Sequence, residues 1–311
     1  MRYLVTGCAG FIGSHIVERL LREGHTVRGL DNLSTGHRHN VEPFLPDLEF
    51  IEGDIRDLDT CKRACAGMDH VIHQAALGSV PRSVEDPVTT HDVNATGTLN
   101  MLVGARDAGA DSFVFAASSS VYGDTPTLPK VETMPKRPMS PYAVTKATAE
   151  DYLSVFANLY EMNTVGVRYF NIFGPRQDPN GAYAAVIPKF IGILQRGDVP
   201  TIHGDGGQTR DFTYVDNAVD ANIRATRHAE RARGVTMNIA CGDRISVNEL
   251  YQSISKHLGV DRPPNYGPPR AGDVRDSLAD ISLARELIGY DPDVEVDDGL
   301  RRTVAWFEER R

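Results

Sequence analysis

Apolar positions in the first half of the chain alternate between two periods. Short, nearly continuous apolar runs at residues 3–6, 26–30, 48–52, 70–73, 112–116 and 164–169 have the length and character of parallel strands buried on both faces. Between the first two runs Ile12, Ile16, Val17, Leu20 and Leu21 recur at helical spacing, and Gly24 stands where a helix would stop. Strand and helix patterns that take turns in this way predict an α/β fold built on a doubly wound parallel sheet. Beyond Gly174-Pro175 the pattern loosens, with more Gly and Pro and longer loops. The expected organisation is a first domain over 1–174, rejoined by 206–242 through a short strand and helix at 212–225. A smaller mixed α/β lobe is expected from 175–205 and 243–311.

Composition changes the picture mainly by exclusion. The 311 residues are 41% hydrophobic and 24% charged, ordinary for a globular enzyme, and the formal charge of −9 argues against a nucleic-acid-binding surface. No apolar stretch approaches the ~20 residues of a membrane span, and Met1-Arg2 leads straight into the first strand without a signal-peptide pattern. The four cysteines, Cys8, Cys61, Cys65 and Cys241, make no disulfide framework. Cys61 and Cys65 are one helical turn apart with no histidine or second pair nearby, so packed thiols are expected and a metal site is not. A cytoplasmic location follows as the expectation.

Two segments carry candidate chemistry. Gly7, Gly10 and Gly13 follow the first strand and open the first helix. That is where a dinucleotide pyrophosphate needs a tight turn, a close backbone approach and a helix N-terminus. Asp31, at the end of the next strand, is placed to hydrogen-bond ribose hydroxyls and to repel a 2′-phosphate, which favours NAD over NADP. Asp54, after the third strand, is a candidate acceptor for the adenine amino group, with a plain surface turn as its rival. Farther on, Tyr142 and Lys146 share a helix face behind Pro141, which starts that helix. A phenol loses its proton near pH ~10; a neighbouring ammonium and an oxidised nicotinamide would favour the phenolate and make it a usable base. Ser118 ends the fifth strand, where ligands bind in such sheets, and would hydrogen-bond the reacting hydroxyl. His73 reads as a packed core histidine.

At this point the chain resembles the extended short-chain dehydrogenases/reductases, in the sugar-nucleotide epimerase and dehydratase family, over residues 1–307. The matching stretches are 6–13, His73-Gln74-Ala75-Ala76, Asn94-Ala95-Thr96-Gly97-Thr98, 118–123, 142–146, 168–175, Arg210-Asp211-Phe212 and 270–273. Stretches 75–83 and 177–189 are especially similar to UDP-N-acetylglucosamine 4-epimerases. The resemblance implies a Rossmann domain binding NAD and a homodimer held by helices near 94–108 and 143–160. It also implies a UDP-sugar substrate converted through a transient 4-keto sugar. Tyr142 would be the base, Lys146 would hold the nicotinamide ribose and Ser118 would contact the 4-hydroxyl.

By the same resemblance, the cofactor site would include Phe11, Ile12, Asn32, Ser34, Thr35, Gly36, Ile55, Gln74, Ala75, Ala76, Asn94, Tyr169 and Phe170. The substrate would meet Gly78, Ser79, Ser119, Ser120, Asn171, Ala185 and Val186, with Arg210 and Arg270 clamping the diphosphate and Asp273 completing the contacts. A dehydratase resembling this chain would carry Asp-Glu where Ser119-Ser120 stand, and a decarboxylase would carry Glu in place of Ser120. With neither present, return of the hydride to the opposite face, a 4-epimerisation, is the simplest fate. Ser277 stands where a large tyrosine would restrict the pocket to plain hexoses, so UDP-GlcNAc/UDP-GalNAc are expected, with UDP-Glc/UDP-Gal also accepted. UDP-glucuronate 4-epimerisation, or another keto-sugar chemistry on the same scaffold, is the alternative.

Overall fold

The computed structural model describes residues 1–179, 185–269 and 275–310. Seven parallel strands form the central sheet. In chain order they are β1 (Arg2–Thr6), β2 (Thr26–Asp31), β3 (Leu48–Glu52), β4 (His70–His73), β5 (Ser112–Ser118), β6 (Thr164–Tyr169) and a last strand, Val235–Ile239. Across the sheet they run Val235–Ile239, β6, β5, β4, β1, β2, β3. The chain winds outward from β1 to β3, then returns beside β1 with β4 and winds out the other way. The crevice between the carboxyl ends of β1 and β4 is therefore the topological switch point, where ligands bind in open α/β sheets.

Helices cover both faces, as a parallel sheet with apolar residues on each side requires. Helix α1 (Phe11–Arg22) and the helix Val215–Arg227 pack on one face. Helix α2 (Leu58–Cys65) and the helices Gly97–Ala108 and Pro141–Tyr160 pack on the other. Buried Val5, Ile16, Val17 and Leu20 join one core, and Leu4, Val71, Leu102, Phe113 and Leu153 join another. The Pro141–Tyr160 helix starts as its sequence dictates. Ser140 Oγ accepts the Ala143 N–H (3.2 Å) and Pro141 occupies the first turn, so Tyr142 and Lys146 leave successive turns of a fixed helix start.

The six expected strands are present, three of them longer than the apolar runs suggested: β1 begins one residue earlier, at Arg2. β2 reaches Asp31 and β5 reaches Ser118, which places both polar residues as the last of their strands. The seventh strand, Val235–Ile239, carries Thr236 and Asn238 in its interior, which hides it from an apolar-run reading. The short strand expected near 212 is Thr213–Tyr214. It pairs with Ile172–Phe173 outside the main sheet, and the helix that follows it is Val215–Arg227.

Candidate active site

The turn after β1 is shaped by steric limits that only glycine meets. Gly7 has φ +66°, and a Cβ there would lie 2.8 Å from the Ala75 nitrogen. A Cβ on Gly13 would lie 2.1 Å from the Gly7 carbonyl oxygen, so the helix could not sit this close to the turn. Gly10 caps α1 without a side chain, which leaves the first-turn N–H groups and the positive end of the helix dipole to an incoming anion. Beside this turn Gly7, Gly10, Asp31, Asn32, Ser34, Thr35, Gly36, Asp54, Ile55, Gln74, Ala75 and Ala76 line one cavity, joined by Leu30, Gly53, Leu77 and Val93. The expected dinucleotide residues thus converge at the switch point, and their donor set fits a dinucleotide. Phe11, Ile12 and Gly13 form the first turn of α1 behind it.

The carboxylates in this cavity differ in what they have left to offer. Asp31 is buried and accepts the backbone N–H groups of Ala9 (2.9 Å) and Leu33 (2.8 Å), one on each oxygen. Each oxygen keeps a second acceptor position, as a ribose contact requires. Asp54 is different. It accepts the Arg56 backbone N–H and Nε on one oxygen, and Arg56 Nη2 and Asn32 Nδ2 on the other. Arg56 holds its pKa down to about 2. Asp54 nevertheless lines the cavity, and an adenine amino group would share its oxygens with the half-exposed Arg56 or replace one of these bonds.

Three further residues expected at the cofactor site, Asn94, Phe170 and Tyr169, lie outside the lining of this cavity. Asn94 is buried with its amide spent on the Leu77 N–H (2.8 Å), the Leu77 carbonyl and Thr145 Oγ1 (3.2 Å each). It fixes the cavity wall without lining it. Phe170 is 1% exposed and packs near Tyr122 in the core. Tyr169 closes a triangle with Gln74 and Asn222: its hydroxyl donates to Gln74 Oε1 (3.1 Å) and accepts from Asn222 Nδ2 (2.6 Å). Gln74 Nε2 completes it by donating to Asn222 Oδ1 (3.0 Å). Asn222 was not foreseen; a lone Asn in a helix gives no sequence signal.

Ser118, Tyr142 and Lys146 meet at the carboxyl end of β5. The Tyr142 side chain lies near enough to Ser118 to feel its hydroxyl, and the centre of the Tyr142 ring lies 5.9 Å from Lys146 Nζ. Lys146 is buried, donates to the Ala116 carbonyl (2.6 Å) and lies 4.6 Å from the centre of the Phe115 ring. Burial lowers its pKa to about 7, against the pull of Glu150 one turn on. Burial likewise raises the Tyr142 pKa, with the Ser118 hydroxyl opposing it. Desolvation disfavours both charged forms, so of the two positive charges expected to favour the phenolate, the ammonium and an oxidised nicotinamide, the lysine by itself does not suffice. Ser119 opens a short turn. Ser118 Oγ accepts the Ser120 N–H (3.2 Å), and Ser120 Oγ has no hydrogen-bond partner among the described residues.

A second cavity of about 450 Å³ opens farther along the chain. Asn171, Ala185, Val186 and Arg210 line it as expected, together with Phe173, Phe190, Phe212, His203 and Gln208. The last two were ambiguous in sequence, where single polar residues in a loop have many possible uses. Gln208 donates to the His203 carbonyl (2.8 Å). Asn171, at φ +39°, donates to the Asp211 carbonyl (2.9 Å), and Arg210 donates to the carbonyls of Thr209 and Arg275 (2.9 and 2.8 Å). Buried Asp211 accepts three backbone N–H groups, from Cys241, Gly242 and Ala279, tying the segment that carries Ser277 to this cavity's wall.

Ser277 itself does not line the second cavity; its N–H donates to the Thr209 carbonyl (3.1 Å). Ser79 caps the helix Val80–Glu85 by accepting the Arg82 N–H (3.2 Å), and a Cβ on Gly78 would meet nothing within 4 Å. Arg270 and Asp273 lie outside the described residues.

The geometry supports hydride and proton chemistry at one hydroxyl, and comparison with known proteins gives the family. A family model described as "NAD dependent epimerase/dehydratase family" matches residues 3–240. A UDP-glucose 4-epimerase of Mycolicibacterium smegmatis is 41% identical, covering 100% of this chain and 99% of that protein. The solved UDP-N-acetylglucosamine 4-epimerase of Methanobrevibacter ruminantium, in complex with UDP-N-acetylmuramic acid, is 40% identical with a TM-score of 0.94, covering 100% of this chain and 99% of that one. The Thermus thermophilus UDP-glucose 4-epimerase, in complex with NAD, is 39% identical with a TM-score of 0.89, covering 99% of each chain. With these likenesses spanning its whole length, the chain belongs to the NAD-dependent epimerase/dehydratase family.

Proposed function

We propose that this chain is an NAD-dependent 4-epimerase of UDP-hexoses, acting on UDP-GlcNAc/UDP-GalNAc and also on UDP-Glc/UDP-Gal. The observation that carries the reading is the meeting of Ser118, Tyr142 and Lys146 beside the switch-point cavity, with no carboxylate at 119 or 120. Tyr142 takes the proton of the sugar 4-hydroxyl and later returns it. Ser118 hydrogen-bonds that oxygen and holds it against the phenol. Lys146, anchored on the Ala116 carbonyl, holds the nicotinamide ribose. NAD, when bound, supplies the hydride acceptor and donor and, in its oxidised form, a positive charge. Asp31 holds the adenosine ribose, and the first turn of α1 holds the pyrophosphate.

Without an acid–base pair for elimination, the keto sugar turns over and is reduced on its other face. The 450 Å³ cavity holds the uridine, with Arg210, Arg270 and Asp273 at the diphosphate. The open space beside Gly78 suits an N-acetyl group. On this reading 175–205 and 243–311 form the substrate lobe.

The helix Pro141–Tyr160 and the two short helices packed on it leave Val84, Val88 and Leu159 exposed at 64%, 69% and 70%. This apolar face is proposed as the interface of a homodimer, and sedimentation as a dimer checks it; a monomer at micromolar concentration rejects it. Cys8, Cys61 and Cys65 are buried free thiols, in keeping with a reducing cytoplasm. The activity is tested by incubating the purified protein with UDP-GlcNAc, UDP-Glc and UDP-GlcA in parallel, without added NAD. Expected are UDP-GalNAc and UDP-Gal at unchanged mass. A product lighter by water or carbon dioxide, or turnover of UDP-GlcA alone, rejects the assignment.

A further inference from the structure

We propose that His73 is a positioning residue for the cofactor site, setting through one continuous hydrogen-bond chain where the backbone at 75–77 and the start of the catalytic helix lie. The inference rests on the dinucleotide site described above. His73 ends β4 at the switch point, is wholly buried, and packs against the rings of Phe113 and Phe115 (centroids 5.7 and 5.9 Å). Its strand companions Val71 and Ile72 are apolar and equally buried. An imidazole in such surroundings is tolerated only with both nitrogens satisfied, and both are. Nδ1 lies 2.6 Å from Thr6 Oγ1, its register partner on β1, and Nε2 lies 3.1 Å from Thr98 Oγ1.

The direction of every proton in the chain is fixed by its neighbours. Thr6 Oγ1 accepts the Ala75 N–H (3.1 Å), and its own proton goes to His73 Nδ1 because the neutral ring carries its single proton on Nε2, as the Thr98 contact requires. Thr98 donates to the Asn94 carbonyl (2.6 Å), so it accepts from His73 Nε2–H. Asn94 then grips Leu77 through both its oxygen and its nitrogen, and donates to Thr145 Oγ1, which donates to the Tyr142 carbonyl (2.8 Å). The backbone around Asn94 supports this reach: residues Asp92–Thr96 form a single π-turn between two helical stretches, the kind of insertion that re-aims side chains at functional sites.

Two cofactor-cavity residues, Ala75 and Leu77, and the turn carrying Tyr142 are thus referenced to one neutral imidazole. Burial and the charge of Lys146 keep the ring neutral, its pKa lowered to about 3. A protonated ring would donate from Nδ1 and leave the Thr6 proton without an acceptor.

The test reads NAD binding and UDP binding separately, by calorimetry on protein freed of any nucleotide carried through purification. Thr98→Val removes the hydroxyl at nearly constant volume, Thr98→Ser restores it, and His73→Asn shortens the link to Thr98. Thr98→Val and His73→Asn are expected to weaken NAD about tenfold, to lower kcat, and to leave UDP affinity within twofold. Thr98→Ser is expected to bind NAD within twofold of the unaltered protein. NAD affinity unchanged in both disrupted variants, or UDP affinity lost in parallel with NAD, overturns the proposal. Should a variant not fold, the unaltered protein still decides: ring ¹⁵N shifts must show a neutral Nε2–H tautomer at residue 73 from pH 5 to 8. A charged ring or the Nδ1–H tautomer overturns it. Since neither readout involves a sugar, its failure leaves the epimerase reading standing, and the reverse also holds.

Discussion

At the scale of single residues, burial sets the resting state of Tyr142 and Lys146, the proposed catalytic pair. Desolvation keeps Tyr142 a phenol and brings Lys146 to about 7, so the lysine is only partly protonated near neutral pH. Substituting Tyr142→Phe removes the proton acceptor and leaves the ring's packing intact. The expected result is a loss in kcat of roughly 10²–10⁴-fold, the usual worth of a positioned acid–base group, with UDP-sugar affinity held within a few-fold. Steady-state kinetics beside calorimetric binding checks this; kcat within tenfold of the unaltered protein removes Tyr142 from its role. Tyr142, Lys146, Ser118 and Asp31 were legible in the sequence because each sits at a fixed offset from an element end. Asp54 and Asn94 share a feature that the sequence does not show. Their position relative to the strands was right, but their hydrogen-bonding capacity is used by Arg56 in one case and by Leu77 and Thr145 in the other. Sequence shows a side chain's capacity, not how much of it is already spent.

At the scale of elements, the strand–turn–helix unit at the N-terminus works by close packing more than by any specific side chain. Gly13→Ala places a methyl group 2.1 Å from the Gly7 carbonyl oxygen, so α1 must move away from the turn. Destabilisation of about 1–3 kcal/mol is expected from such overpacking, together with at least tenfold weaker NAD binding. Thermal melts and calorimetry measure the two; an unchanged NAD affinity would place the pyrophosphate elsewhere. The six apolar strands and α1 could be read from periodicity alone. Val235–Ile239 could not, because Asn238 in its middle donates to the Lys130 and Asp280 carbonyls (3.0 Å each) and accepts from Tyr122 (2.6 Å). A strand whose interior polar residue is satisfied by distant loops looks like a loop until those loops are in place. Ser277 shows the same limit from the other side, since its place against Thr209 depends on a backbone pairing that only the fold reveals.

At the scale of the whole molecule, half-buried and buried histidines tie separate parts of the chain together and make the fold sensitive to acid. His15, on α1, donates to the Pro175 carbonyl (3.0 Å), joining the sheet domain to the loop that leaves it. Burial and the nearby Arg176 lower its pKa to about 4. In the unfolded chain a histidine titrates near 6.5, so between these values the unfolded state binds the extra proton. Stability is therefore full above about pH 6.5 and declines as pH falls toward 4; buried His73, lowered to about 3, acts in the same direction. The urea midpoint is expected to drop between pH 7 and 5. The drop should be shallower in His15→Gln, which keeps a donor for Pro175 and does not titrate. An equal drop in both would show that His15 stays solvated.

The central claim is that one sugar carbon gives up its hydride and receives the same hydride back on its other face. UDP-GlcNAc carrying deuterium at sugar carbon 4, incubated with the purified protein without added NAD, tests this most directly. The account predicts UDP-GalNAc of the same mass as the substrate, with the deuterium still at carbon 4. Loss of the label to solvent, or a product lighter by one water, would contradict it.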